Sequence, residues 1–251
     1  MFIFTVAIIF IFGLIIGSFI NALVYRLESG DSIVRGRSKC PHCQRQLKAG
    51  DLIPVLSFFL LLGRCRYCRG KISWQYPIVE LLTALLFVVA FCCHGYSWLL
   101  LARDFIAIAA LVAIFVSDFL YMTIPDEVAL PALVAIFLLN YAAGFSVFPL
   151  VMAAAIGGGF FGLQFLLSRG KWIGGGDLRL GVLMGVLLGW PGILLALFFA
   201  YIFGAIIASV LLLLKKVTPK TQMPFGVFLA PATLVVMFFG ESIINWYLNL
   251  L

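Results

Sequence analysis

The sequence predicts an all-α polytopic membrane protein with about eight transmembrane helices and one small water-soluble loop. Of the 251 residues, 64% are hydrophobic and 11% are charged, and the mean hydropathy is +1.18; an ordinary soluble domain is thereby excluded. Apolar runs of about 20 residues, long enough to cross a hydrocarbon layer of roughly 30 Å, recur along most of the chain. Period-2 alternation is absent, so the spans are expected to be helices rather than barrel strands.

The apolar runs also predict where each span lies. The first run is too long and uninterrupted for a cleaved signal peptide, and no small-residue cleavage site precedes Arg26. We therefore divide the chain into a first transmembrane helix (1–27), a cytoplasmic loop domain (28–73) and a seven-helix membrane core (74–251). The expected spans, of which the sixth is unusually short, are 2–25, 76–94, 98–117, 127–145, 147–168, 178–190, 192–214 and 224–248.

The basic residues predict the orientation of the chain. Of the 17 Lys and Arg, ten lie in 26–71, three in 169–179 and three in 215–220. With eight crossings these three clusters fall on one side, and the positive-inside rule makes that side the cytoplasm. Both termini are then expected on the outer side of the membrane. Topology and contact with anionic lipid account for the net charge of +7, so no nucleic-acid partner is needed.

Two Cys-x-x-Cys knuckles, Cys40 with Cys43 and Cys65 with Cys68, lie in the soluble segment and are separated by the stretch 44–64. This arrangement is typical of a tetrahedral structural zinc site with four sulfur ligands. The cytoplasm keeps few disulfides, and so short a segment lacks enough core to fold unaided, so zinc would contribute folding free energy. A redox dithiol and unliganded cysteines are the alternatives, and His42 is expected to be a bystander.

Acidic residues at membrane depth are costly and are therefore candidates for chemistry. Asp118, Asp126, Glu127 and Asp177 lie at span ends that the predicted topology places on one membrane face. Asp126 and Glu127 suit the first turn of a helix. Asp177 follows the glycines 174–176, where a backbone without side chains can approach another segment closely. Asp177 is therefore the strongest catalytic candidate.

Two other acids receive structural roles. Glu80 lies near the cytoplasmic start of the second span, where an acid suits a helix N-terminus. Asp104 follows Arg103, so a local ion pair or exposure at the interface accounts for it.

Two aspartates in a partly desolvated cleft can share one proton and divide the acid and base roles of a hydrolase. Such a pair needs no metal and no nucleophilic serine or cysteine. Spacing alone allows Asp177 to pair with either Asp118 or Asp126. Two other classes fit the same acids: a transporter or channel with an ion-binding broken helix, and a zinc-stabilised membrane adaptor without catalysis.

Beyond these patterns, the chain resembles the type IV prepilin peptidases, a family of Gly-x-Gly-Asp membrane aspartyl proteases. The similarity covers nearly the whole length, and the similar motifs occur in the family's order. They are Gly17-Ser18-Phe19-Ile20-Asn21, the two cysteine knuckles, Tyr76-Pro77-Ile78-Val79-Glu80, Asp118 followed by Ile124-Pro125-Asp126, Gly174-Gly175-Gly176-Asp177, and Pro224-Phe225-Gly226.

The resemblance implies that Asp118 and Asp177 form the catalytic pair and that Asp126 is structural. It implies cleavage of the leader of type IV prepilins or type II secretion pseudopilins, after a glycine, at the cytoplasmic face. Many members also methylate the new N-terminus with S-adenosylmethionine. No nucleotide-binding fingerprint marks a site for that cofactor, so its residues stay unassigned. The sequence departs from the family at Lys171 and Arg179, where a cation near the pair would favour ionised carboxylates.

Overall fold

The computed structural model describes residues 1–32, 37–95, 97–218 and 221–250. Arg35 and Lys220, which belong to the basic clusters, lie outside these ranges. Within them the chain forms eight α-helices and a single 3-10 turn at Ala49–Asp51. The helices are α1 (Phe2–Ser29), α2 (Leu56–Leu60), α3 (Gln75–His94), α4 (Trp98–Tyr121), α5 (Asp126–Ala142), α6 (Val147–Ser168), α7 (Gly175–Leu213) and α8 (Gly226–Leu248).

The chain divides into two compact units, 1–97 and 98–251. The first contains α1, the cysteine-bearing loop, α2 and α3, and the second contains α4 to α8. The three-part division at residues 27 and 73 remains a prediction.

The all-α polytopic architecture is confirmed. Among the described residues, six helices are long and apolar enough to cross a membrane: α1, α3, α4, α6, α7 and α8. The seventh long helix, α5, has 17 residues. At 39 residues, α7 is far longer than one crossing requires, and Gly189 and Trp190 within it have non-helical backbone angles. This break separates the predicted spans 178–190 and 192–214.

The first arm of α7 runs antiparallel to α6. A Cβ on Gly181 would lie 2.6 Å from the carbonyl oxygen of Gly157, and one on Gly185 would lie 2.2 Å from that of Ala153. The two backbones therefore touch at both points. The later residue of α7 meets the earlier residue of α6, so the two helices run in opposite directions. Lipid tails supply no hydrophobic drive for helix association, so such small-residue contacts hold membrane helices together.

The second arm runs parallel to α6. Ile193, just after the break, approaches Gly157, whereas Tyr201 contacts Phe160 and Gln164 further along α6. The chain thus reverses direction at Gly189 and Trp190, and α7 is a hairpin of two helical arms. With the two arms of α7 and with α5 counted separately, the described residues form eight long helical segments, in the order of the eight expected spans.

A buried polar cluster lies at the end of the second unit where α7 breaks. The guanidinium of Arg103 donates to Asp104 at 2.8 and 2.9 Å and to the Asn140 carbonyl oxygen at 3.2 Å. The Asn140 amide in turn donates to the Val186 carbonyl at 2.8 Å. The expected local ion pair is therefore present, and it joins α4 to α5 and α7.

Candidate active site and metal centre

Asp118 lies in the last turn of α4 and is 4% exposed. Its Oδ2 accepts a hydrogen bond of 3.1 Å from the Val227 amide in the first turn of α8. The first amides of a helix have no partner within it and carry partial positive charge, so this carboxylate is well placed to satisfy one of them. Gly226 permits the approach, because a Cβ there would lie 2.8 Å from the same oxygen.

Asp177 lies in the first turn of α7 and is 9% exposed. Its Oδ2 accepts a hydrogen bond of 3.1 Å from the amide of Gly174, the residue that caps the helix. Gly176 packs against the segment joining α4 to α5, since a Cβ on Gly176 would lie 2.8 Å from the Cβ of Ile124. Gly175, by contrast, faces open space. The glycine run thus brings the start of α7 against the segment that follows Asp118.

The two buried aspartates are connected through one contact, because Gly176, the neighbour of Asp177, packs against Ile124 in the segment that follows Asp118. The helices α5 and α8 each pack against both α4 and α7, which carry these residues. Two buried carboxyl groups that lie close together do not ionise together readily.

Asp126 has a different environment. It begins α5, and its Oδ1 is paired with the guanidinium of Arg179 in the first arm of α7. Both side chains are about two-fifths exposed, at 41% and 43%. Arg179, which the sequence places near the catalytic candidates, therefore has Asp126 as its partner.

Glu80 in α3 is also buried, but it lies in the first unit. Its Oε2 accepts a hydrogen bond of 2.7 Å from the Val55 amide in the loop, and the Ser18 hydroxyl of α1 also bonds to it. The helix backbones meet here, since a Cβ on Gly17 would lie 2.6 Å from the Glu80 Cα. Glu80 therefore links the loop and α1 to α3. It lies beyond the first turn of α3, so the expected interaction with the helix dipole is not its main role.

The two cysteine knuckles have the same backbone structure. In the first, the Cys40 amide donates to the Arg45 carbonyl; in the second, the Cys65 amide donates to the carbonyl of Gly70, at the same spacing. Gln44 and Arg69 occupy the same left-handed position in each, with φ of 55° and 62°. This local structural repeat is not apparent from the residue letters outside the cysteines.

The four cysteine sulfurs fit a zinc ion. All lie within 4.8 Å of one another, and the Sγ atoms of Cys40 and Cys68 are 3.9 Å apart. Sulfurs bound tetrahedrally at about 2.3 Å from zinc would be separated by about 3.8 Å. His42 lies outside this group, with its Nε2 3.3 Å from the Lys71 carbonyl oxygen.

The knuckle backbone also favours thiolate ligands. The amides of Cys68 and Tyr67 point at the Cys65 sulfur and lower the pKa of that thiol to about 7, although burial opposes them. The Gly70 amide lowers the pKa of the Cys68 thiol. Burial and the neighbouring thiols outweigh this effect and raise that pKa to about 11. Crowded thiols of this kind do not all ionise without a cation, so the donor set fits a metal.

The fold and these two sites define a polytopic helical membrane protein with a buried aspartate pair and a separate four-cysteine loop. The chain belongs to the type IV leader peptidase family, whose profile matches residues 105–209. Residues 11–94 match the bacterial peptidase A24 N-terminal domain.

Curated relatives share nearly the whole chain. A protein of Bacillus subtilis (strain 168) is 34% identical, with 97% of this chain and 98% of the relative covered. One from Aeromonas hydrophila is 32% identical (97% and 93% covered) and one from Legionella pneumophila is 30% identical (95% and 93% covered). All three are named prepilin leader peptidase/N-methyltransferase. No solved structure matches the chain.

Some residues at the site carried no sequence signal that pointed to their role. The amide of Val227 supports Asp118 through its backbone alone. Ile124 contacts Gly176 through an ordinary apolar side chain.

Proposed function

We propose that this chain is a prepilin leader peptidase of the bacterial inner membrane in which Asp118 and Asp177 form the catalytic pair. Its substrates are prepilins or type II secretion pseudopilins, and it also methylates the new N-terminus with S-adenosylmethionine. The family membership and the shared name of full-length relatives support both activities.

The observation that carries the assignment of the pair is the environment of the two carboxyl groups. Each is buried, each accepts a hydrogen bond from a backbone amide at a helix start, and Gly176 beside Asp177 packs against the segment that follows Asp118. Asp126 is instead exposed and paired with Arg179. This contrast favours Asp118 over Asp126 as the partner of Asp177, a choice that residue spacing leaves open.

In the proposed reaction, the unprotonated carboxylate of the pair takes a proton from water, and the water oxygen attacks the scissile carbonyl carbon. The protonated partner gives its proton to the leaving nitrogen as the carbon–nitrogen bond breaks. The shared proton therefore ends on the amine, and the pair regains one proton from the water. Burial strengthens the interaction of both groups with the reacting peptide.

The reaction is assigned to the cytoplasmic face. A leader retained in the cytoplasm places its scissile bond at the inner face of the membrane, and the basic clusters predict that the ends bearing both aspartates lie there.

Zinc, where bound, would be held by Cys40, Cys43, Cys65 and Cys68, and it would fix the fold of the loop without entering the cleavage reaction. The residues that bind S-adenosylmethionine remain unassigned.

The test is cleavage of a synthetic prepilin-type peptide by purified protein, followed by mass, with and without S-adenosylmethionine. Asp118→Asn and Asp177→Asn should each abolish cleavage, whereas Glu241→Gln, an exposed acid late in α8, should leave it intact. A thermal unfolding midpoint near that of the wild type in each variant would show that folding is retained. Cleavage that survives in either Asn variant, or its loss only in Asp126→Asn, would reject this pair.

A further inference from the structure

Gln164 of α6 and Tyr201 of α7 form a polar pair within two membrane spans. The Tyr201 hydroxyl donates to the Gln164 Oε1 at 3.0 Å, and the Tyr201 side chain is exposed. Polar groups at membrane depth are costly, and one hydrogen bond between two helices contributes little to their association. A partly exposed pair of this kind is therefore a candidate for binding rather than for holding the fold.

The hairpin of α7 places Tyr201 at the depth of the aspartates. The stretch from Asp177 to Gly189 in the first arm is nearly as long as the stretch from Trp190 to Tyr201 in the second. At about 1.5 Å per residue, these stretches span about 18 and about 16 Å along their arms.

The wall around Tyr201 continues to Asp118. The Tyr201 ring packs edge-on against Phe225, with centroids 4.9 Å apart, and against Phe160 at 5.6 Å. Phe225 immediately precedes Gly226, whose backbone lies against the Asp118 carboxylate. The polar pair thus belongs to the same wall as Asp118.

The pair retains unused hydrogen-bonding capacity. The Gln164 Nε2 contacts only the Phe160 carbonyl among the described residues, at 3.5 Å, which leaves one amide hydrogen available. The Tyr201 oxygen uses its hydrogen on Gln164 and keeps its lone pairs. A donor and an acceptor side by side match the C=O and N–H of one residue in an extended peptide, which point to the same side of the chain.

Resting on the proposed peptidase function, we propose that Gln164 and Tyr201 bind the main chain of the substrate beside the scissile bond. Gln164 donates to a substrate carbonyl, and the Tyr201 oxygen accepts a substrate amide. A peptide that is extended for cleavage cannot satisfy its own backbone, and lipid offers no partners, so the enzyme must supply them.

The first experiment measures KM and kcat for a synthetic prepilin-type peptide in lipid nanodiscs. Tyr201→Phe removes only the hydroxyl and should raise KM about 2- to 10-fold, with kcat little changed, as expected for the loss of one binding hydrogen bond. Gln164→Met keeps the side-chain length and should raise KM by roughly 10-fold. The control is Tyr247→Phe, the same change at an exposed residue near the far end of α8, which should leave KM unaltered.

The second experiment replaces single peptide bonds of the substrate by esters, each of which removes one N–H donor. At one position near the scissile bond, the ester should raise KM for the wild type and for Tyr247→Phe but not for Tyr201→Phe. The absence of this rise in KM in Tyr201→Phe would indicate direct contact between the hydroxyl and the substrate N–H, because a purely structural role would not remove it.

A KM for Tyr201→Phe and Gln164→Met equal to that of the wild type would overturn the proposal, as would ester penalties that persist unchanged in Tyr201→Phe. Either result leaves the peptidase assignment standing as long as Asp118→Asn and Asp177→Asn are inactive on the same peptide. Cleavage by those Asn variants would instead reject the catalytic pair, so the two failures are distinguishable.

Discussion

The adjacent glycines 175 and 176 offer a sharp test of how the first turn of α7 is positioned. A Cβ on Gly176 would lie 2.8 Å from the Cβ of Ile124 and 3.4 Å from two further atoms of that side chain. A Cβ on Gly175 would meet nothing within 4 Å. The substitutions Gly176→Ala and Gly175→Ala add the same methyl group to the same turn, but only the first creates a clash.

The size of the effect follows from the overlap. An ordinary contact begins near 3.4 Å, so the first turn of α7 or the segment containing Ile124 must move by at least about 0.6 Å. The clash involves the Cβ of Ile124, which cannot swing away by a rotamer change. Both sides of the contact are close to an aspartate, Asp177 on one side and Asp118 on the other. Because a misplacement of about 1 Å can cost about 100-fold in rate, Gly176→Ala should lower kcat/KM on that scale.

The assay is peptide cleavage, with thermal unfolding in detergent as the check on folding. Gly175→Ala should remain within about threefold of the wild type, since alanine is the better helix former and meets no obstacle. Ile124→Gly, which removes the opposing Cβ, should restore part of the activity of Gly176→Ala. Equal losses in the two glycine variants, or no rescue by Ile124→Gly, would refute the steric explanation.

Three further outcomes are expected. Arg103→Met removes the guanidinium that Asp104 and Asn140 share, so it should destabilise the protein by about 3 to 5 kcal/mol; an unchanged unfolding midpoint would contradict this. Cys65→Ser should remove most of the zinc measured by elemental analysis and make the loop sensitive to protease, whereas full zinc occupancy would rule out the four-sulfur site. Arg179→Ala breaks only a half-exposed pair with Asp126 and should alter stability by about 1 kcal/mol or less. A much larger change would show that this pair has an additional role.

Much of the fold was predictable because membrane spans impose a simple physical requirement. A run of about 20 apolar residues must be helical in lipid, so the spans could be located from the sequence. The turn at Gly189 and Trp190 was predictable too, because a glycine and Pro191 interrupt a run that is otherwise long enough for two crossings. The symmetry of the two knuckles was not, because hydrogen bonds between backbone groups leave no mark on side-chain identity.

The candidate site was predictable in part. Asp177 was identifiable because three glycines precede it, but spacing left its partner open between Asp118 and Asp126, and the family resemblance alone chose Asp118. What the sequence lacks is the tertiary contact: Asp118 meets the amide of Val227, which is 109 residues away along the chain. The part of the Arg103 cluster that involves Asn140 was missed for the same reason, since these two residues lie 37 residues apart.

The first arm of α7 is held at both ends by contacts that do not depend on the hydrophobic effect. At one end, Gly176 packs on Ile124. At the other, Asn140 donates to the Val186 carbonyl in the last turn before the break, where helix carbonyls lose their usual amide partners. Because apolar side chains gain nothing by leaving lipid, close backbone contact and hydrogen bonds must set the position of such an arm. A catalytic carboxylate has to be held to within about 0.5 Å, and Asp177, which we propose for that role, directly follows the first of these contacts in the chain. The glycines before Asp177 and the distant polar cluster therefore both fix the position of the first arm of α7, each at one end of that arm.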